Sequence, residues 1–319
     1  MKQIIQSVLT VFIFSVLLSC SQEQKQSDLP IIKALEKIKP TPEQITFKNS
    51  LEIDNNGGHL QGIQYLRHNQ NEYYVVSGSS SSYSYYSIVK KGDQNTVVSV
   101  NKLLDKPFKH AGGFQIQNNL MAIGIEDNEA KDKSKVYIFQ IDDPENLPKE
   151  PLAIIERVGN PKRATAGSIG ICVVDNTILV AVGDWDSEHL DFYTIDKEKP
   201  NKSTLKYSLD SKEVDKSEWI DENYLSYQNV NIVKGATGAL YLVGMTSNLL
   251  RENVLDLFEL KTKDFSSFEL KKIYSRKFPS NDQTTFRWGS GVYLDQNGAV
   301  TIMACSENIL DNSVIHIYQ

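Results

Sequence analysis

The chain has little cysteine, little histidine and little uninterrupted apolar sequence. Of 319 residues, three are Cys and five are His. After Cys20 only Cys172 and Cys305 remain, inside the strand-like runs Ile171-Cys172-Val173 and Met303-Ala304-Cys305. Two buried free thiols acting as small hydrophobes are preferred there over a disulfide. No Cys/His spacing matches a zinc site, so no metal and no cofactor is expected. Basic clusters interleaved with aromatics are missing as well. The net charge is −6 and the pI is near 5.5, which argues against nucleic acid and against attraction to an anionic membrane surface. Beyond the first residues no segment is apolar and long enough to hold the chain in lipid. No recognised catalytic signature occurs.

The N-terminus is what departs from this polar background. Met1-Lys2-Gln3 precedes an apolar run from Ile4 to Leu18, interrupted by Gln6, Ser7, Thr10 and Ser15. One positive charge, a short apolar core and small residues after it describe a secretory signal. The run ends Leu17-Leu18-Ser19-Cys20, which resembles a bacterial lipobox at every position. The resemblance implies acylation of Cys20, with palmitate among its lipids. It also implies removal of residues 1–19 and, with Ser21 following, an outer-membrane lipoprotein of the cell envelope. Its membrane contact is then the lipid on Cys20. Residues 20–43 read as a polar tether and a short helix. Asp28 is its expected cap, Pro30 stands near its first turn, and Ile31, Leu35 and Ile38 share one face.

From residue 44 onward the sequence repeats. His59-Leu60-Gln61-Gly62-Ile63-Gln64-Tyr65 and His110-Ala111-Gly112-Gly113-Phe114-Gln115-Ile116 both read His-x-x-Gly, apolar, Gln, apolar. Looser copies start at Thr165, Ser226 and Phe286, so successive starts are 51, 55, 61 and 60 residues apart. A period of that size signals an array of like units. In each unit a first strand is followed by a turn rich in Asn, Asp or Gly. Second strands are expected at 73–77, 120–125, 178–182, 240–244 and 300–304. Third strands are expected at 85–89, 135–141, 190–195, 254–260 and 314–318. Fourth strands are expected at 96–100, 152–158, 203–209 and 268–274. The fifth unit stops at Gln319 without one, and the alternating segment 44–53 is expected to supply it and close a ring. This resembles an all-β, five-bladed β-propeller of four-stranded blades spanning 44–319. A repeated Trp-Asp or kelch signature is missing, so no narrower family follows. A monomer is expected. The segment 211–224 is expected to form a short outer helix anchored by Trp219.

The propeller reading gathers residues from distant parts of the chain. Inner-strand starts and the loops between second and third strands share one channel mouth. The first set supplies His59, His110 and Arg287, and the second supplies Asp127, Asp184, Trp185, Asp186 and Glu307. These are the candidate ligand-binding residues. Trp185 between two carboxylates can stack on a sugar or another flat apolar face. The histidines can bridge a small polar ligand, whereas Gln64 and Gln115 read as ties between blades, and Gly62 and Gly113 as points of close approach. The preferred function is an anchored propeller binding a carbohydrate, peptide or protein at the mouth. The alternative is hydrolysis. Five-bladed propellers include glycosidases that pair an acid with a nucleophile or base, roles that Asp127, Asp184 and Glu307 could fill. This chain departs from that family pattern: the glycosidases carry acidic residues on their inner strands, where this chain has His59 and His110. A metal-assisted variant would use both histidines with Asp184 and Glu307.

Overall fold

A computed structural model of the chain describes residues 29–248, 252–279 and 281–319. The expected signal, Cys20 and the expected tether lie outside these residues. The described chain opens with helix α1 (Pro30–Lys37). Its N-cap is Leu29 with no side-chain cap, and Asp28, the expected cap, lies outside the described residues; Pro30 at the first turn has no N–H to leave unsatisfied. Ile31, Ile32, Leu35 and Ile38 are buried in the seam between two sheets, against Tyr241, Val243, Ile302 and Tyr318. Arg276 donates to the helix's terminal carbonyls at Leu35 and Ile38.

Strand β1 (Glu43–Lys48) follows, and then four sheets of four strands in chain order. Blade one is β2 (Leu60–His68), β3 (Asn71–Ser79), β4 (Tyr83–Lys90) and β5 (Thr96–Asp105). Blade two is β6 (His110–Gln117), β7 (Leu120–Glu126), β8 (Lys133–Gln140) and β9 (Ala153–Val158). Blade three is β10 (Ser168–Val174), β11 (Thr177–Gly183), β12 (His189–Asp196) and β13 (Lys199–Asp210). Blade four is β14 (Asn229–Lys234), β15 (Leu240–Ser247), β16 (Asn253–Lys261) and β17 (Glu269–Phe278). Blade five has β18 (Ser290–Leu294), β19 (Val300–Cys305) and β20 (Asn312–Tyr318), and takes β1 as its fourth strand. β1 and β20 pair antiparallel from Glu43↔Ile317 to Lys48↔Asn312, so the ring closes as the repeat pattern requires, although the strand stops at Lys48 instead of Ile53. In strand pairing, blades five and one are linked through the single bridges Ser290–Gly62 and Lys48–Thr96, so they remain two blades and not one continuous sheet.

Burial follows position in the ring. β7 is buried at every residue because neighbouring blades cover both of its faces. The outer strand β9 alternates buried and exposed. Five apolar clusters fill the five seams; Val75, Tyr86 and Ile88 against Phe114, Met121 and Ile123 make the seam between blades one and two. The segment 211–224 forms turns, not a helix. Asp210, Asp215 and Asp221 each accept a backbone N–H two residues on, local bonds that compete with helical ones. Trp219 is its anchor, packed edge-on against Phe258 at 5.3 Å with its indole N–H on Leu270 O at 2.9 Å.

The inner strands have no sheet neighbour on the axial side, so their backbone groups need other partners. Side-chain amides supply them. Gln64 Nε2 donates to Phe114 O (3.1 Å) and Asn231 Oδ1 (3.2 Å), and Asn231 Oδ1 accepts Val292 N (3.0 Å). Gln115 Oε1 accepts both Ile171 N and Ile232 N at 2.8 Å, while its Nε2 donates to Ile232 O at 2.8 Å. All five blades are joined through these amides. A Cβ at Gly113 would stand 2.4 Å from Asn229 Oδ1, so the strands pack too closely around the axis for a side chain there.

Candidate functional site

One end of the channel carries the starts of the inner strands. His59, just before β2, is half-buried. Its Nδ1 is 2.7 Å from Leu60 O, and because a carbonyl only accepts, the ring proton sits on Nδ1. Gln61 Nε2 lies 3.1 Å from Nε2 and donates to it. Burial holds the imidazole below its ordinary pKa and keeps it neutral. His110, Glu307 and Arg287 are near enough to act on its charge; Arg287 and Glu307 are exposed.

His110 opens β6 and is paired across the strand with Glu126, the last residue of β7. Glu126 is fully buried. Its Oε2 accepts Ala166 N at 2.7 Å, and its Oε1 stands 3.0 Å from His110 Nδ1 without the alignment of a hydrogen bond. The other side of His110 faces Trp185, ring centres 6.1 Å apart and planes 34° from parallel. Lys131 Nζ lies 3.6 Å from the centre of the indole. Asp186 follows with a left-handed backbone (φ 87°); burial raises its carboxyl pKa against the opposing pull of Lys162 and Lys131.

The remaining loop carboxylates serve their own loops. Buried Asp127 accepts the N–H groups of Glu129 (3.0 Å) and Ala130 (3.1 Å) and lies 3.4 Å from Lys133 Nζ. Burial pushes its pKa up, but these partners outweigh it and hold the group below its ordinary value. Asp184 accepts His189 N at 3.0 Å and meets His189 Nδ1 at 2.7 Å; Asp210 stands 3.3 Å from the other ring nitrogen. Asp127 and Asp184, two of the three carboxylates of the hydrolytic alternative, are therefore each engaged by a partner in its own loop. Among the described residues no three His, Cys, Asp or Glu side chains are grouped to hold a metal ion. The serine run is ordered by its own bonds, since buried Ser80 accepts the N–H groups of Ser82 and Tyr83.

The structure thus gathers His59, His110, Arg287 and Glu307 around one rim, with Trp185 and Asp186 beside His110. Glu126, Gln61, Lys131 and Lys162 join them without having been singled out. A sequence signal for Glu126 exists. Counting back from the turn at Asn118-Asn119 pairs His110 with Asp127, but a bulge at Gly112-Gly113 shifts the register by one and brings Glu126 opposite.

No family model matches the chain, and no curated protein matches it in sequence. Solved structures do match in shape. The α-L-arabinofuranosidase PaAbf62A from Podospora anserina, solved in complex with cellotriose, aligns over 88% of this chain and 98% of its own, at 10% identity and a TM-score of 0.50. The catalytic domain of a GH62 α-L-arabinofuranosidase from Coprinopsis cinerea aligns over 86% of this chain and 96% of its own, at 12% identity and a TM-score of 0.51. The chain therefore shares the five-bladed propeller fold of these glycosidases.

Proposed function

We infer that this is a carbohydrate-binding propeller, held at the cell envelope by lipid on Cys20, with the channel mouth as its binding face. The observation that carries the reading is the set of groups at the mouth: the indole of Trp185, the imidazoles of His59 and His110, and the exposed Arg287 and Glu307. An indole offers a flat apolar surface for a sugar ring, and the imidazoles and charged groups match its hydroxyls. The fold shared with two arabinofuranosidases, one of them solved with cellotriose, supports a saccharide over a peptide or protein. Hydrolysis is the second reading, and that same fold favours it. Buried Glu126 behind His110 and exposed Glu307 near His59 are the carboxylates it would use, Asp127 and Asp184 being taken up by their loops.

Native gels cast with soluble polysaccharides test the reading. The wild-type domain is retarded in at least one gel, and Trp185→Ala migrates as in a blank gel. Equal retardation of both proteins, or none of either, rejects the mouth as a saccharide site. Sugar release by the wild type that is lost in Glu307→Gln decides for hydrolysis. Loss of membrane retention in Cys20→Ala checks the anchor.

A further inference from the structure

Among the described residues, nine that are not glycine have left-handed backbones. Asn69, Asn118, Asn119 and Asp175 are hairpin-turn residues of the types that tolerate this conformation. Four of the others, Lys131 (φ 61°), Lys162 (φ 69°), Asp186 (φ 87°) and Ser187 (φ 54°), surround Trp185. A lysine rarely adopts such a backbone, and strain of this kind persists only where neighbours enforce it. Here they do. Lys131 N donates to Asp127 O (2.9 Å), Lys162 N donates to Lys131 O (2.8 Å), and Trp185 N approaches Lys162 O at 3.5 Å. Ser187 Oγ donates to Tyr227 O at 2.8 Å, and Tyr224 OH donates to Ser187 O at 2.8 Å. The Trp185 loop and the two lysine-bearing loops are locked together.

What this arrangement presents is positive charge that no direct ion pair ties down. Lys131 Nζ rests on the indole at 3.6 Å, and neither Lys131, Lys162 nor Arg287 forms an ion pair with a described residue. Most nearby carboxylates have partners of their own or are buried: Asp127 faces Lys133, Asp184 faces His189, and Glu126 is sealed behind His110, while Asp186 attracts both lysines across the loop although burial raises its pKa. Glu307 is the exposed exception. In a chain with a net charge of −6, a mouth with unpaired cations over an aromatic selects against the background.

We propose that Trp185, Lys131 and Lys162 form a subsite for acidic saccharides, sugars bearing a carboxylate or a sulfate ester. The inference rests on the carbohydrate reading above and narrows its ligand. The anionic group takes the ammonium that Trp185 holds by cation–π attraction, and the sugar ring packs along the indole towards His110.

Calorimetric titration of the whole domain with three probes tests this: oligogalacturonate, a sulfated oligosaccharide and neutral cello-oligosaccharide. One or both acidic probes bind more tightly than the neutral one, their affinity falls with added NaCl, and Lys131→Asn weakens them about tenfold. Asn tolerates the left-handed backbone, so the loop is kept, and Lys131→Arg restores binding. The two acidic probes separate carboxylate from sulfate as the preferred group. Neutral binding as tight as acidic binding, with Lys131→Asn silent, overturns the acidic subsite and leaves the carbohydrate reading standing. Failure of all three probes overturns both.

Discussion

At the scale of single residues, the inner ring depends on side chains acting as backbone. Gln115 accepts two N–H groups from two other blades and donates to a third backbone atom. Gln115→Ala leaves Ile171 and Ile232 with unpaired buried donors, each worth about 1–3 kcal/mol, so a loss of about 3 kcal/mol is expected. Urea denaturation measures it, and an unchanged midpoint would show that water replaces the amide. The role of this residue was legible because Gln64 and Gln115 fill matching places in adjacent repeats. Asn231 takes the same sixth place in the looser copy that starts at Ser226, with a shorter amide in place of Gln. Glu126 escaped notice for a different reason. Its neighbour Asp127 is the correct partner of His110 in an unbulged hairpin, and only the Gly-Gly bulge reverses the choice. Lys131 could not be found by periodicity, because its place over Trp185 comes from loop backbone and not from strand register.

At the scale of elements, the strands were readable because second strands such as β7 are buried throughout and almost wholly apolar, while outer ones such as β9 alternate. The segment 211–224 was misjudged because its apolar residues suggest a helix while its aspartates close local turns. What fixes that segment is a charge buried under it. Lys272 of β17 is 2% exposed and meets Asp221 Oδ1 and Asp256 Oδ2 at 3.0 Å and Asn223 O at 3.1 Å. Tyr227 OH donates to the same Asp256 oxygen at 2.6 Å. Lys272→Met strands the fully buried Asp256 without its counter-charge, which is expected to cost about 3–5 kcal/mol. Faster proteolysis within 211–224 should accompany the lower unfolding midpoint. A midpoint equal to wild type would mean that the buried pair adds nothing net to stability.

At the scale of the whole molecule, the ring is closed by one strand, and a histidine lies on that closure. His316 of β20 is paired with Gln44 of β1 and is 3% exposed. Its Nδ1 is 3.0 Å from Asn281 Nδ2 and 2.8 Å from Thr284 Oγ1, and both donate to it when the ring is neutral. Burial holds its pKa below the ordinary value. The neutral form is thus favoured by folding. Its contribution to stability is complete above the unfolded pKa near 6.5 and is lost as pH falls through the lower folded value. Burial shifts His59 in the same direction. The denaturation midpoint is expected to drop as pH falls below about 6.5, with a shallower drop in His316→Gln; parallel curves for the two proteins would remove the histidine from the account. The helix ahead of the closing strand has a mechanical consequence. Load applied at residue 29 does not reach the β1–β20 ladder directly. It is first borne by Ile31, Ile32, Leu35 and Ile38 wedged between blades four and five, and by the Arg276 clamp on the helix end. The seam acts as a strain relief, so tugging at the N-terminal end must extract a helix before it can unzip the ring.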